Sequence, residues 1–366
     1  MRITLDGTPL LGRRTGIGTY VARVLDALPA AVRRADVDAR LEVMTWSLRG
    51  GRVRGLPDGV RQVGPPVPAR VLREAWARWD VPPVEALVGR TSLVHGTNFV
   101  SPPTRHAREV VTVHDLAYVH LPQTVSADAA RYRTLVPRAL ARGAHVLVPS
   151  GATAAAVREH YALDPERVSV TPLGVDPGWS DARPPGEAWR RDHGLPEEYV
   201  LFVGTLEPRK NLARLLAAHR ALRADVPGTP TLVLAGQAGS DAAAGAGADV
   251  VRTGWLEDAE LRALVAGARA VLLPSLDEGF GLPVLEAFAA GRPVLAGDVP
   301  ALREVGGPHA TYADPYDVTA LAGALQDVLD ADDGDTARAA RAAWAARFTW
   351  DATADATLAA YRRVLA

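Results

Sequence analysis

Short apolar runs alternate with amphipathic helical patterns along most of this 366-residue chain. The runs are rich in Val and Leu, and Gly, Pro or Asp residues stand at many of their ends. Runs of this kind are typical of parallel strands whose two faces are both covered by helices. The pattern therefore predicts an α/β fold with parallel sheets.

In the first half, the pattern predicts strands and helices in turn. The predicted strands are Arg2–Leu5, Leu41–Trp46, Leu93–His95, Val110–Val113, His145–Val148 and Val168–Thr171. The predicted helices are Gly18–Leu28, Arg70–Trp79, Ala127–Arg142 and Ala152–Tyr161. Ser150 is the expected N-cap of the last helix, because a serine oxygen can accept a free amide of the first turn.

A dense group of Pro and Gly residues then interrupts the pattern between Gly174 and Pro196. Breakers at this density predict an interdomain linker, which we place at 177–197. The domains on either side are predicted at 1–176 and 198–345, and a C-terminal helix at 346–366 is expected to pack back towards the first domain.

The second half repeats the alternation. Its predicted strands are Tyr199–Gly204, Thr231–Ala235, Asp249–Val251, Ala270–Pro274 and Pro293–Ala296. Its predicted helices are Asn211–Leu222, Ala259–Gly267, Pro283–Ala290, Val318–Leu329 and a stretch from Thr336 towards Ala366. The Ala- and Gly-rich segment Gln237–Gly247 is predicted to be a surface loop without a site.

Charge divides the chain unevenly although its formal net charge is only −1. Residues 1–176 hold 23 Arg against 16 acidic residues, whereas residues 177–366 hold 18 basic against 26 acidic residues. This asymmetry favours an anionic partner for the first half, such as an acceptor or a membrane surface, although arginines on solvated helices explain it equally well. Nucleic acid is not expected, because the basic residues form no dense patch with interleaved aromatic residues.

The chain contains no cysteine, which excludes disulfides and thiolate metal sites. No apolar run approaches the ~20 residues that span a bilayer, and the first residues lack the apolar core of a signal peptide. We expect a cytoplasmic protein, with peripheral contact at the inner membrane face left open.

Lys210 is the only lysine in the chain, since the other forty basic residues are arginine. It follows Arg209 in a segment that leads from an apolar run into a helical pattern. An ammonium is a compact, rotatable charge and a guanidinium is a planar fork, so the two differ in what they bind. A basic pair at the start of a helix favours a bound phosphate.

The segment from Ser275 to Val294 carries the most specific pattern. Gly279 and Gly281 allow close backbone approach, Pro283 suits the first turn of a helix, and Gly291 suits its end. The free amides at this helix start favour an anion. Glu278 and Glu286 add two carboxylates, which accept hydroxyl donors well.

Glu278 and Glu286, separated by seven residues and framed by Gly-Phe-Gly-Leu-Pro, resemble the signature of the retaining glycosyltransferases of family 4, and the resemblance covers nearly the whole chain. It implies the GT-B fold, in which two Rossmann-like domains face each other across a cleft. The first domain would bind the acceptor and the second a nucleoside-diphosphate sugar.

The resemblance also implies roles for residues of the second half. Glu278 would contact the donor sugar and Glu286 the ribose, while Arg209 and Lys210 would neutralise the diphosphate. Backbone groups would complete the donor site at Gly279, Phe280, Gly281, Leu282 and Trp255. Thr205 stands where many relatives carry an arginine, an arrangement that resembles a subgroup with mannosyl- and rhamnosyltransferases.

Roles in the first half are implied in the same way. Gly16 and Gly18 would approach the diphosphate, and His114 would help to orient the donor sugar. His95, Asn98 and Asp115 would line the acceptor side. The helix Arg70–Trp79 is expected to face the core or the acceptor, with a membrane contact as the alternative.

The function implied is transfer of a hexose, mannose-like by the subgroup, from a GDP-, UDP- or dTDP-linked donor to an acceptor hydroxyl with retained anomeric configuration. The family needs no metal or other cofactor, and the acceptor would be a glycan or a lipid-linked sugar. Two alternatives stay open: a sugar-nucleotide epimerase of the same fold and a non-catalytic sugar-nucleotide-binding protein. A nicotinamide dehydrogenase is disfavoured, since neither half shows a full dinucleotide fingerprint.

Overall fold

The computed structural model describes residues 1–12, 15–48, 51–237 and 250–366. By its contacts, the chain divides into two compact units. The N-terminal unit comprises Met1–His120, Ser126–Gly174 and Thr349–Ala366, and the C-terminal unit comprises Leu121–Val125 and Val175–Phe348. The domain boundaries given by the sequence pattern stay predictions, because a division by contacts does not test independent folding.

Parallel strands build the centre of each unit. In the N-terminal unit they are β1 (Arg2–Asp6), β2 (Arg40–Met44), β3 (Val60–Val63), β4 (Leu93–Gly96), β5 (Arg108–Thr112), β6 (His145–Val148) and β7 (Val168–Val170). In the C-terminal unit they are β8 (Tyr199–Val203), β9 (Thr231–Ala235), β10 (Val250–Gly254), β11 (Ala270–Leu273), β12 (Val294–Gly297) and β13 (Thr311–Ala313). The sheet orders are β3-β2-β1-β4-β5-β6-β7 and β10-β9-β8-β11-β12-β13.

Helices connect the strands. They are α1 (Gly16–Arg34), α2 (Ala69–Arg78), α3 (Glu85–Val88), α4 (Ala117–His120), α5 (Ala127–Ala130), α6 (Tyr132–Ala141), α7 (Gly151–Tyr161), α8 (Glu187–Asp192), α9 (Leu212–Asp225), α10 (Asp258–Gly267), α11 (Leu282–Ala289), α12 (Pro300–Gly306), α13 (Val318–Asp330), α14 (Asp335–Ala345) and α15 (Trp350–Leu365). Among the described residues, none of these helices is both long and apolar enough to cross a membrane.

The apolar runs of the sequence form the buried centres of both sheets. Val94 in β4 and Val110 in β5 are fully buried, as are Phe202 in β8 and Leu272 in β11. Each strand runs parallel to its neighbours, so the polar residues that follow the strands gather at one edge of each sheet.

The C-terminal helix α15 packs on α1 within the N-terminal unit. Tyr361 of α15 is fully buried, and the Nη2 of Arg34 donates to the Oδ1 of Asp355 at 2.7 Å. The Oγ1 of Thr353 donates to the carbonyl of Pro172 at 2.6 Å. The unit that begins the chain is therefore completed by the chain's last described residues.

The elements confirm most of the predicted pattern, including the N-cap, where Ser150 Oγ accepts from the Thr153 amide at 3.0 Å. The helix predicted at Ala127–Arg142 is two helices, α5 and α6. Strands β3 and β13 were not predicted, because each has only three or four residues and little apolar alternation. Of the predicted loop Gln237–Gly247, all but Gln237 lies outside the described residues, as does Asp249 of a predicted strand.

Candidate active site

Two loops meet at the carboxyl ends of the neighbouring strands β8 and β11 in the C-terminal unit. The amide of Leu276 donates to the carbonyl of Arg209 at 2.9 Å. The side-chain amide of Asn211 donates to the carbonyls of Pro274 at 3.0 Å and Pro315 at 2.6 Å. These bonds hold the segment that carries Lys210 against the segment that carries Glu278.

Glu278 lies between the two basic residues that the sequence singled out. The Nζ of Lys210 donates to its Oε1, and the Nη1 of Arg209 donates to its Oε2 at 3.2 Å. The exposed fractions of the side chains are 8% for Glu278, 11% for Lys210 and 20% for Arg209. We call Arg209 and Lys210 the cation pair.

The charges of this cluster support one another. Burial alone would raise the pKa of Glu278, but Lys210 and Arg209 outweigh it and hold that pKa at about 2. Burial lowers the pKa of Lys210, and the neighbouring Glu278 counteracts this shift. Arg209 also pairs with Glu207, whose Oε2 lies 3.4 Å from the Nε of Arg209, so two cations are shared by two carboxylates. An anionic ligand with more than one charge can compete with these carboxylates for both cations.

Two residues of the cluster were not predicted. The Oγ of Ser275 is fully buried and donates to Oε1 of Glu278 at 2.7 Å. Asn211 adopts a left-handed backbone, with φ 64°, and is 3% exposed. Asparagine tolerates this conformation better than most residues, so an Asn directly before a helical pattern was the available signal.

The start of α11 has the geometry that the Gly and Pro residues predicted. Gly281 has φ +101°, and a Cβ there would lie 2.5 Å from the Cδ2 of Leu302, so glycine is required. Pro283 occupies the first turn, and Gly291, with φ +74°, follows the helix end. Phe280 is buried, with its ring 6.0 Å from that of Phe348, so it shapes the loop by packing.

Glu286 lies one turn into α11 and is partly exposed. Burial raises its pKa to about 7, with further increases from Asp258 and Asp176 and an opposing effect of Arg262. In the described part of the chain, its carboxylate makes no hydrogen bond or ion pair, so its oxygens are available to a hydroxyl donor. The surroundings of Glu286 therefore raise its pKa, whereas those of Glu278 lower its pKa.

The remaining predicted donor residues also lie at carboxyl ends of strands in this unit. Thr205 follows β8 and Trp255 follows β10, and both are partly exposed. Gly279 lies in the loop before α11, and Leu282 is the first residue of that helix. The structure therefore brings Arg209, Lys210 and Glu278 into direct contact and leaves Trp255 at the edge strand of the sheet.

In the N-terminal unit, His114 follows β5 and is 8% exposed. Its Nε2 lies 2.9 Å from the carbonyl of Thr97, which makes this nitrogen the donor. Its ring packs edge-on against the rings of Tyr20 and Phe99. Burial lowers the pKa of His114, so the ring is neutral at pH 7 and keeps its Nε2 proton.

His95 at the end of β4 is fully buried. Its Nδ1 lies 2.6 Å from the Oη of Tyr361, and its Nε2 lies 2.7 Å from the Oγ1 of Thr112. Burial and the nearby His114 lower its pKa to about 3. Both ring nitrogens make hydrogen bonds, so His95 stabilises the end of β4 within the core and leaves no ring nitrogen available to a ligand.

The other predicted residues of this unit are more exposed. Asn98 is partly buried, and its Oδ1 has no hydrogen-bond partner among the described residues. The Oδ1 of Asp115 accepts from the amide of Ala117 at 3.1 Å. Gly16 and Gly18 lie in the first turn of α1, and a Cβ at Gly16 would meet no atom within 4 Å. Arg13 and Arg14, shortly before Gly16 in the sequence, lie outside the described residues.

Two family profiles match the chain, one on each half. Residues 14–179 match the description "Glycosyltransferase Family 4", and residues 186–345 match "Glycosyl transferases group 1". The chain is 31% identical over 316 residues to the O-antigen chain mannosyltransferase B of Escherichia coli, covering 79% of this chain and 77% of that protein. The chain belongs to the family 4 glycosyltransferases.

Solved structures agree with this membership at the level of fold. Sucrose-phosphate synthase of Thermosynechococcus elongatus is similar with a TM-score of 0.76 at 24% identity, covering 99% of this chain and 98% of that one. HepE of Anabaena, solved with UDP and glucose, has a TM-score of 0.66 at 18% identity, with 98% of each chain covered. This glycosyltransferase therefore has the GT-B fold, and its predicted family and enzyme class are confirmed.

Proposed function

We propose that this glycosyltransferase transfers a hexose from a nucleoside-diphosphate sugar to an acceptor hydroxyl. We propose mannose as the hexose, retention of its anomeric configuration, and a reaction that needs no metal. The observation that carries the proposal is the buried Glu278 held by both members of the cation pair, Arg209 and Lys210. This cluster combines a diphosphate-binding charge with a carboxylate suited to sugar hydroxyls.

The ion pairs of Glu278 suggest the order in which the parts of the donor bind. A donor diphosphate offers the cation pair more negative charge than one carboxylate does, and it would draw the two side chains away from Glu278. The freed carboxylate oxygens would then accept hydroxyl groups of the sugar. Binding of the diphosphate would in this way prepare Glu278 for the sugar that the same donor carries.

The transfer step follows from these charges. The bond between the anomeric carbon and the β-phosphate oxygen breaks, and the acceptor oxygen bonds to the same face of that carbon. The acceptor proton passes to the leaving phosphate oxygen. The cation pair and the free amides at the start of α11 would stabilise the charge that builds on the diphosphate. This charge compensation is the basis for proposing independence from a metal.

The choice of mannose and of a nucleotide donor is supported by the names of similar proteins. The E. coli relative is a mannosyltransferase, and the Anabaena structure is a complex with UDP and glucose. These two names include different sugars, and turnover of the candidate donors distinguishes between them. Mannose is placed first because the mannosyltransferase shares more sequence with this chain.

The acceptor is proposed to be a glycan or a lipid-linked sugar bound by the N-terminal unit, at the inner face of a membrane. Two apolar side chains near α2 support a peripheral contact, since Val71 is 62% and Trp79 is 63% exposed. Leu72 and Trp76 of the same helix are buried, so α2 packs one face on the core.

Donor turnover tests the proposal. Purified enzyme is incubated with an alkyl mannoside as the acceptor and with GDP-mannose, UDP-glucose or dTDP-glucose as the donor, each with and without EDTA, and released nucleoside diphosphate is measured. We expect one donor to be consumed, at a rate that EDTA does not change, and NMR of the product to show the anomeric configuration of the donor. Release that stops with EDTA would overturn metal independence, and an inverted product would overturn retention.

A further inference from the structure

A cavity lies in the C-terminal unit, at the other end of the strands from the cation pair. Its walls include Tyr199, the first residue of β8, Arg269, directly before β11, and Arg292, just before β12. The cation pair and Glu278 follow the carboxyl ends of β8 and β11. Strands of four or five residues separate the two sites by about 15 Å, so the cavity does not belong to the proposed donor site. We call it the arginine cavity.

Two arginines of the cavity have little compensation for their charge. In the described chain, Arg190 on α8 makes no ion pair. The Nε of Arg292 is buried without a hydrogen-bond partner, and its Nη1 lies 4.0 Å from the Oδ2 of Asp333. That carboxylate already accepts from Arg338 at 3.0 Å and from Arg341.

The third arginine of the cavity is neutralised. The Nη1 of Arg269 donates to Oε1 of Glu198 at 2.8 Å. Burial lowers the pKa of Arg292, and the neighbouring Arg338 lowers it further, which reflects positive charges held close together. An anion between Arg190 and Arg292 would compensate the positive charge of both side chains.

The cavity is larger than a phosphate ion and has an acceptor at its rim. Its volume of about 560 Å³ lies within the range of small-molecule sites. Pro184 and Pro185 form an apolar wall beside Gly267, where an added Cβ would lie 2.5 Å from the Oη of Tyr199. Glu197 is exposed at the rim, where its carboxylate can accept hydroxyl groups.

We propose that the arginine cavity binds a sugar phosphate, with the phosphate between Arg190 and Arg292 and the sugar hydroxyls towards Glu197. Guanidinium groups match phosphate oxygens with paired hydrogen bonds. The carboxylate at the rim disfavours a polyanion and favours a ligand with one phosphate and several hydroxyls. This site is independent of the donor site and of the proposed transfer reaction.

Isothermal titration of mannose 6-phosphate into the full-length protein tests the proposal. We expect saturable binding to the wild type, with affinity weakened roughly tenfold or more in Arg190→Gln and Arg292→Gln. Arg191→Gln is the matched control, because Arg191 lies on the same helix, is 71% exposed and has only a 3.9 Å contact with Glu187. Its affinity should equal that of the wild type. Arg190→Gln keeps the test valid if the half-buried Arg292 position does not tolerate substitution.

Two further titrations test where the ligand binds and which part of it is recognised. Lys210→Ala should leave the affinity unchanged, whereas loss in this variant alone would place the ligand in the donor site and overturn the proposal. Inorganic phosphate, as the second probe, should bind at least about tenfold more weakly than mannose 6-phosphate, since it cannot reach Glu197. Equal affinity for the two probes, an equal loss in Arg191→Gln, or no saturable binding to the wild type would each contradict the proposal.

Discussion

The ammonium of Lys210, the only lysine of the chain, donates to Oε1 of Glu278 across two loops that follow neighbouring strands. Arg209 donates to the other oxygen of the same carboxylate. A buried carboxylate thus has two cationic partners, and a diphosphate would compete with it for both. In the absence of an anion, the charges of the two loops are therefore paired with each other, and a bound anion could replace Glu278 as the partner of both cations.

Removal of the ammonium should affect the transfer step more than the fold. Lys210→Ala removes one of the two charges that we propose to stabilise the leaving diphosphate, so we expect kcat to fall by roughly 10²–10³-fold. Lys210→Arg should recover only part of the activity, because a planar guanidinium cannot replace a compact ammonium there. Steady-state kinetics with the donor found in the turnover screen measure both effects. Wild-type kcat in Lys210→Ala would exclude the role.

The buried serine should act through Glu278. Ser275→Ala removes the hydrogen bond to Oε1, at 2.7 Å in the structure, which is worth about 1 kcal/mol. We expect a several-fold lower kcat/KM, with the melting temperature changed by only a few degrees. Ser180→Ala, at an exposed serine of the same unit, serves as the control and should behave as the wild type. Unchanged kinetics in Ser275→Ala would show that the serine only packs.

The pH dependence of donor binding should follow Glu286. Its pKa is raised to about 7 in the folded protein, so the carboxylate that we propose to accept ribose hydroxyls forms as the pH rises through 7. Affinity for the nucleoside diphosphate should therefore increase between pH 6 and 8 in the wild type. Glu286→Gln should lack this increase in affinity. The phosphate group of the ligand titrates equally in both experiments, so comparing the affinities of the two proteins removes its contribution. Parallel profiles would contradict the assignment.

The raised pKa of Glu286 also predicts how the stability of the fold changes with pH. A carboxyl whose pKa is higher folded than unfolded binds its proton more tightly in the native state, so Glu286 lowers stability as the pH rises from about 4.5 to about 7. Glu286→Gln should therefore gain in melting temperature relative to the wild type more at pH 8 than at pH 4.5. An equal difference at both values would argue against a raised pKa.

The bond between the C-terminal helix and β4 should stabilise the N-terminal unit. Tyr361→Phe leaves Nδ1 of the fully buried His95 without its partner at 2.6 Å, at a cost of about 1–3 kcal/mol in the free energy of unfolding. Urea denaturation measures this loss. Tyr316→Phe, at a tyrosine that is 56% exposed, should cost little. Equal stabilities of the two variants would show that the bond contributes nothing.

Much of the fold could be predicted because local patterns determine it. Apolar runs placed the central strands, and the Gly281, Pro283 and Gly291 positions predicted both ends of α11. The short edge strands β3 and β13 could not be predicted, since their residues are half-exposed and lack a clear period. Edge strands depend on the sheet that they join, which is tertiary information.

The candidate site shows the same limit. The motif identified Lys210 and Glu278, but their direct contact depends on strand order, which brings residues 68 positions apart together. His95 was expected to line an acceptor, yet it is fully buried and bonded to Tyr361, 266 residues away. Burial of a polar residue at a strand end cannot be inferred from its neighbours in sequence, because distant segments cover it.

Nucleotide binding by the cation pair is the most direct test of this account. Isothermal titration of GDP, UDP, dTDP and ADP into the wild type should show one nucleotide that binds, and Lys210→Ala should bind that nucleotide at least about tenfold more weakly, as expected for loss of a charged hydrogen bond. Equal affinity in the two proteins, or no binding of any of the four nucleotides to the wild type, would contradict the assignment of Arg209 and Lys210 to the diphosphate.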